Sequence, residues 1–419
     1  MNESRIQIGC IADDYTGASD AASFLVKGGL QTVLLNDIPD ASFSTDGLDA
    51  VVIGMKIRSV PPAEAVSAAM AAMDRLLEMG ARQIYYKYCS TFDSTPAGNI
   101  GPVMDALADA LDEPYTLLCP SLPANGRTVA GGRLFVYGVP LHESPMKDHP
   151  LNPMWDDRIA VLMEPQSQYT CYTIPVTGDP AADERALGRV TADASKPYYL
   201  VPDYETDEQG REIARRFGHL RLLSGGSGLL EHLGALAAEG RPAGEGLPGV
   251  EGRGILLCGS CSKATQGQIR WYQEQGGPSI PLDPAKVADG TTDARRIYEQ
   301  IRQMPDNVLV YSVGAMELKE ENRALYSSLV ERTLSELASL AMADGVRRII
   351  VAGGETSGAI TRELGLDRFR IGRSIAPGVP LMAPTEHPEI RIVLKSGNFG
   401  QEDFFGRAVR VTSGKEETP

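Results

Sequence analysis

Short apolar runs of three to five residues recur along this chain, and turn residues followed by a helix-length stretch come after most of them. Arg5–Ala12 leads into Asp13-Asp14-Tyr15-Thr16-Gly17 and then a helix expected over Ala18–Lys27, closed at Gly28-Gly29. Thr32–Leu35, Ala50–Gly54, Gln83–Tyr88 and Tyr115–Cys119 read as further strands, separated by helical stretches at Pro62–Met79 and Asn99–Leu111. Apolar runs without inside–outside alternation suit strands buried on both faces, and helices between them suit a parallel sheet covered on both sides. The pattern predicts an α/β fold with two α/β domains. Each would hold a mainly parallel sheet flanked by helices, with the active site in the interdomain cleft.

The rhythm breaks at Pro120–Pro153, which is rich in Pro and Gly and carries an expected hairpin insertion at Arg133–Leu141. It resumes through Thr173–Val176, Tyr198–Val201 and Arg221–Leu223. The segment EGRPAGEGLPGVEGRG at 239–254 lacks periodicity and reads as a linker between residues 1–238 and 255–419. Beyond it, Ile255–Cys258, Val308–Ser312, Arg348–Ala352 and Ile392–Lys395 are expected strands, with helices from about Thr265 and around Ala324–Ala343.

The formal net charge of −15 argues against a nucleic-acid binder, which needs a broad basic face. Asp and Glu appear too early at the N-terminus for a signal peptide, and no apolar run spans a bilayer, so a cytoplasmic protein is expected. Six irregularly spaced Cys read as reduced thiols. The GxGxxG match at 244–249 lies in the linker and joins no strand to a helix. Cys258 and Cys261 form a CxxC without a second pair, and read as packing residues. The five His show no metal-ligand spacing, and no GxxxxGK[ST] loop is present.

Three turns carry more information. Gly353-Gly354-Glu355-Thr356 follows an apolar strand and opens a helix, the arrangement in which backbone N–H groups and the helix dipole meet a phosphate. Gly259-Ser260-Cys261-Ser262 and Lys395-Ser396-Gly397 occupy the same position after their own strands, and Lys395 would face the anion. Three such turns at strand ends converge on the crevice where open parallel sheets bind ligands. In the first half, Asp13 and Asp14 suit hydroxyl groups, Mg²⁺ or deprotonation of an alcohol, with a helix N-cap as the plainer role. Lys56 and Arg58, then Lys87 with Ser90 and Asp93, supply cations and hydroxyl partners for a polyhydroxy acid.

On these residues the chain resembles the four-carbon acid sugar kinases. The resemblance rests on ADDYTGASD (12–20), KIRSVPPAEA (56–65), YKYCSTFDSTPAGNIGPV (86–103), PSLPANGRTVAGG (120–132) and GVPLHESPMKDHPLNPM (138–154). GSCSKATQGQI (259–269), GGETSGAI (353–360), IAPGVPL (375–381) and LKSGNFGQEDFF (394–405) continue it in the second half. It implies an acid-sugar domain followed by a nucleotide-binding domain, with ATP at Ser260, Gly353, Gly354, Glu355, Thr356 and Gly397. It also implies Mg²⁺ bridging the phosphates, with metal ligands unassigned because Glu355 stands where GGDTSG is more usual. The CSTFDST segment is most similar to the branch acting on 3-oxo-tetronates, which implies phosphorylation at O4. Threonate or erythronate kinases, and a non-catalytic acid-sugar or nucleotide sensor, are the alternatives. In this reading Lys56 and Arg58 hold the substrate carboxylate, Lys87, Ser90 and Asp93 read its oxygens, and Asp13 or Asp14 accepts the O4 proton. Partners would be the acid sugar and ATP, without nucleic acid or membrane, in a monomer or homo-oligomer.

Overall fold

The structure is a computed structural model, and it describes residues 6–148, 152–239, 247–313 and 320–415, with side chains of the last segment from 325 onward. The chain divides into two compact units, Met1–Gly244 and Glu245–Pro419.

In the first unit, β1 (Ile8–Ala12), β2 (Thr32–Leu35), β3 (Ala50–Gly54), β4 (Gln83–Lys87) and β5 (Leu222–Gly225) form parallel pairs in the order β5-β4-β1-β3-β2. Every residue of these strands is buried, as continuous apolar runs dictate. Helices α1 (Tyr15–Lys27), α2 (Pro62–Glu78) and α3 (Ile100–Ala110) follow β1, β3 and β4, and α4 (Gly228–Ala237) follows β5. The first helix begins at Tyr15 rather than Ala18, because the Asp14 carboxylate caps it by accepting the Gly17 N–H. Gly28 at its other end lets α1 and α4 touch backbone to backbone. A Cβ there would lie 2.5 Å from the Glu231 carbonyl oxygen and 2.9 Å from the Gly234 Cα.

A second parallel sheet joins Tyr115–Leu117, Tyr198–Pro202 and Thr170–Ile174. The insertion is larger than the hairpin read from sequence. Arg127–Ala130, Arg133–Val136 and Val139–Pro140 make a three-stranded antiparallel meander, its turns marked by positive φ at Gly131, Gly132, Tyr137 and Gly138. Residues 149–151 of the 138–154 motif lie outside the described residues.

In the second unit, β6 (Gly254–Cys258), β7 (Ser279–Leu282), β8 (Val308–Ser312), β9 (Arg348–Ala352), β10 (Arg368–Ala376), β11 (Val379–Pro384) and β12 (Arg391–Lys395) run β10-β11-β12-β9-β6-β8-β7. The pairs from β12 to β7 are parallel, and β10 and β11 add an antiparallel hairpin. The sequence reading missed that hairpin and β7, since Gly372, Pro380 and Pro281 interrupt their apolar patterns. Helices α5 (Lys263–Glu274), α6 (Glu320–Ala343), α7 (Gly354–Glu363) and α8 (Phe404–Thr412) belong to this unit, and two more, Pro284–Ala288 and Ala294–Arg302, lie between β7 and β8.

Of the expected linker, 240–246 lie outside the described residues, as does the first half of the GxGxxG match. Residues 248–252 are built into the second unit. Val250 N–H donates to the Thr412 carbonyl, Arg391 Nε donates to the Pro248 carbonyl, and Arg348 donates through Nε and Nη2 to the Gly252 carbonyl.

Candidate active site

Parallel pairing puts the C-terminal ends of β1, β3 and β4 side by side, with Ala12 opposite Gly54 on one flank and Lys87 on the other. Asp13 is therefore the first residue past the sheet, and its backbone ties the neighbouring strands together. Its N–H donates to the Lys87 carbonyl at 3.0 Å, and its carbonyl accepts from Ile57 and Arg58 at 3.1 and 3.2 Å.

Arg58 lies against both acids of the pair. Its Nε and Nη2 donate to the two Asp13 carboxylate oxygens at 2.8 and 2.7 Å, and its Nη1 reaches Asp14 Oδ2 at 2.8 Å. Asp93 Oδ2 stands 3.9 Å from the same nitrogen. The two-pronged edge that would meet a substrate carboxylate is thus occupied by Asp13. Lys56, by contrast, is exposed and has no carboxylate partner among the described residues.

The two acids differ in environment. The Asp13 side chain is 4% exposed and Asp14 is 31% exposed. Burial pushes the Asp13 carboxyl above the ordinary carboxylate range, with Arg58 and Lys87 pulling the other way. Asp14 is also the α1 N-cap, so the plainer role holds together with the ion pair.

Lys87 is buried, and its Nζ donates to the Tyr88 carbonyl at 2.9 Å. A Cβ on Gly17 would come within 3.3 Å of that ammonium, so α1 passes directly over it. After Lys87 the chain makes a tight loop in which Phe92 is fully buried at φ +52, packed edge-on against Tyr88 at 5.4 Å. Packing of this ring sustains a backbone conformation that a phenylalanine rarely adopts. The loop sets the Thr91 hydroxyl to donate to Asp93 at 2.7 Å, and leaves Ser90 half-buried. Asn99 braces the facing segment, donating to the carbonyls of Ile57 and Val60.

Two members of this cluster went unread in the sequence. Asp20 accepts a hydrogen bond from the Ser227 hydroxyl, and both are buried. Asp14, Gly17 and Asp20 recur every three residues along α1, a spacing that shares a helix face and could have revealed Asp20.

The three glycine-containing turns converge within the second unit. Gly259, Ser260 and Cys261 after β6, Gly353–Thr356 after β9 and Gly397 after β12 line one cavity of about 340 Å³. The turns approach one another closely, and at Gly353 the backbone conformation itself calls for glycine. A Cβ on Gly397 would stand 2.5 Å from Ser260 Oγ, and one on Gly353, at φ +128, would stand 2.9 Å from Thr356 Oγ1. Such a cradle admits phosphate oxygens to backbone N–H groups at the N-terminus of α7. Glu355 is exposed in the first turn of that helix.

Lys395 does not face the cavity. Its Nζ is buried, donating to Thr265 Oγ1 at 2.9 Å and to the Ser396 and Gly397 carbonyls, above the Phe404 ring. Burial lowers its pKa to about 8. It shapes the turn from behind, a correction to the anion-facing reading. The cavity also has a wall that the sequence did not suggest, made by Pro284, Ser312 and the α6 residues Tyr326, Ser327, Val330 and Glu331.

All six cysteines are free thiols. Burial pushes the Cys258 thiol up to about 12 and raises that of Cys261 as well, away from the reactive thiolate form. Among the described residues no group of three or more His, Cys, Asp or Glu could hold a metal. Nor is any described helix long and apolar enough to cross a membrane.

With this geometry in place, comparison with known proteins gives consistent matches. Residues 8–233 match a family described as a sugar-binding N-terminal domain, and residues 255–405 match a nucleotide-binding C-terminal domain. A 3-oxo-tetronate kinase of Salmonella typhimurium is 42% identical, covering 97% of this chain and 99% of its own. One from Burkholderia multivorans is 40% identical over 98% of each chain. A crystal structure from Salmonella typhimurium, provisionally described as a tRNA synthase, superposes with a TM-score of 0.89 at 40% identity, covering 96% of this chain and 99% of that one.

Proposed function

This chain belongs to the four-carbon acid sugar kinase family, on the branch of the 3-oxo-tetronate kinases, and from that premise we propose that it transfers the γ-phosphoryl of ATP to the O4 hydroxyl of a 3-oxo-tetronate. It is a phosphotransferase with an alcohol acceptor. The observation that carries the assignment of the nucleotide is the convergence of Ser260, Gly353–Thr356 and Gly397 on one glycine-built cavity. A tRNA partner finds no support in a chain of net charge −15.

Phosphoryl transfer asks a protein chiefly for alignment and charge stabilisation. In our reading the backbone N–H groups of the 353–356 turn and the hydroxyls of Ser260 and Thr356 hold the phosphates. Mg²⁺ would neutralise phosphate charge and fits as a metal carried by the nucleotide, since it commonly takes one or two carboxylates plus phosphate oxygens and water. Glu355 is the carboxylate nearest that role in sequence position.

On the acceptor side, exposure favours Asp14 as the group that orients O4 and accepts its proton. Asp13, nearly buried and held at both oxygens by Arg58, then acts as a positioning residue. Lys56, exposed and without a carboxylate partner among the described residues, is assigned the substrate carboxylate. Lys87 uses its remaining N–H groups for hydroxyl or keto oxygens, alongside Ser90 and Asp93. Arg58, first expected on the substrate carboxylate, is reassigned to holding the acid pair.

An ADP-release assay across 3-oxo-tetronates, threonates and erythronates tests the reading. It expects ATP-dependent turnover that is highest with a 3-oxo-tetronate. Nucleotide binding without ADP release for any of these acids would favour the sensor instead.

A further inference from the structure

The cavity lined by the three glycine turns, about 340 Å³, is larger than a phosphate cradle needs to be, and another of its walls has a different chemistry. That wall is one face of α6, where Tyr326, Ser327, Val330 and Glu331 fall at i, i+1, i+4 and i+5, with Pro284 beside them. At 1.5 Å rise per residue, Tyr326 and Glu331 lie roughly 7.5 Å apart along the helix axis, about the length of a nucleoside.

The helix is also held in register with the cradle. Ser339 Oγ donates to Glu363 at 3.1 Å, which fixes α6 beside the C-terminal end of α7. Glu331, eight residues earlier on α6, lines the same cavity as Gly354 and Glu355 of the first turn of α7, together with Tyr326 and Ser327.

We propose that Glu331 accepts hydrogen bonds from the ribose hydroxyls of the nucleotide, with Tyr326, Val330 and Pro284 enclosing the base. The Ser327 hydroxyl donates to Glu331 Oε1 at 3.0 Å, which orients the carboxylate and leaves its other oxygen for the sugar. A carboxylate is an acceptor only, so it matches a vicinal diol and disfavours a phosphate. The phosphates accordingly point to the glycine turns and the nucleoside to α6. The same carboxylate disfavours nucleotides bearing a 2′-phosphate.

This inference rests on nucleotide binding in the second unit, and its test separates it from the kinase reading. Calorimetric titration with ATP and with 2′-deoxy-ATP needs no turnover, and the same pair can then serve as phosphoryl donors. The wild-type chain is expected to bind ATP about tenfold more tightly than 2′-deoxy-ATP, the worth of one hydrogen bond to a charged group. Glu331→Ala is expected to bring that ratio close to one, chiefly by weakening ATP, with the acceptor KM unchanged. Alanine is favourable in a helix, and Ser327→Ala, which only loosens the carboxylate, should give an intermediate ratio.

A ratio that Glu331→Ala leaves unchanged overturns the proposal. So does a Glu331→Ala variant whose only change is a higher Mg²⁺ requirement with both nucleotides, since that would put the carboxylate on the metal. ATP binding with the expected ratio but without transfer to any acid would overturn the kinase reading and leave this one standing. Absence of ATP binding would overturn both.

Discussion

The two candidate sites, one in each unit, are built from opposite materials. The strand ends of the first unit crowd side-chain charge into a small space, with Asp13, Asp14, Asp93, Arg58 and Lys87 around one sheet edge. The cradle of the second unit is made of glycine backbone and hydroxyls, and among the described residues no Lys or Arg lines it. A small polyhydroxy acid must be told from its relatives by individual oxygens, which calls for fixed, directional side chains. A triphosphate is recognised by shape and charge density, for which N–H groups and a helix terminus suffice. The cost of the first solution is a set of buried charges that need one another. The cost of the second is that a Cβ at its closest approaches would displace the hydroxyls that build it.

If this contrast is right, substitutions in the two regions should fail in different ways. The largest effect is expected from Asp14→Asn, which should lower kcat by about two to three orders of magnitude, the usual scale for a lost general base, with ATP KM changed less than about threefold. Full turnover in steady-state assays would take the carboxylate out of the mechanism. Next comes Gly397→Val, whose Cβ would meet Ser260 Oγ at 2.5 Å. It should weaken ATP by at least about tenfold in calorimetry and leave acceptor binding intact, since it displaces phosphate-contacting groups alone. Lys56→Ala should raise the acceptor KM by about tenfold with little change in kcat, as loss of one charge-assisted contact implies. An unchanged KM would return the substrate carboxylate to Arg58.

The smallest effect concerns stability. Lys395 has a folded-state pKa lowered to about 8 by burial, so the folded chain releases its proton before the unfolded chain does. Between about pH 8 and the ordinary lysine range near 10.4, the unfolded state binds more protons and stability from this group rises with pH. The Tm difference between wild type and Lys395→Met should therefore move in favour of wild type across that window. A difference independent of pH would mean that the buried amine does not titrate as described.

The same contrast explains what the sequence disclosed. Backbone recognition leaves a local mark, because glycines and hydroxyls must sit within a few residues of a strand end. GGETSG and SGN were therefore legible as strand-end turns, and so was the α/β order of strands and helices. Side-chain networks leave less. Arg58 meets Asp13 from 45 positions away, and Asp20 meets Ser227 from 207 away. Neither pairing has a sequence period. Lys395 looked like a phosphate ligand because its position before the turn was readable and its inward direction, set by Thr265 and Phe404, was not. The α6 wall was missed because Tyr326 and Glu331 look like ordinary surface residues until the helix is laid beside the cradle.

Phosphoryl transfer to O4 is tested most directly by the product of turnover. Phosphorus and carbon NMR of a reaction containing ATP, Mg²⁺ and a 3-oxo-tetronate should show ADP forming in step with a phosphomonoester on the C4 oxygen. ADP formed at the same rate without any four-carbon acid, or a phosphoryl group found on another oxygen, would contradict it.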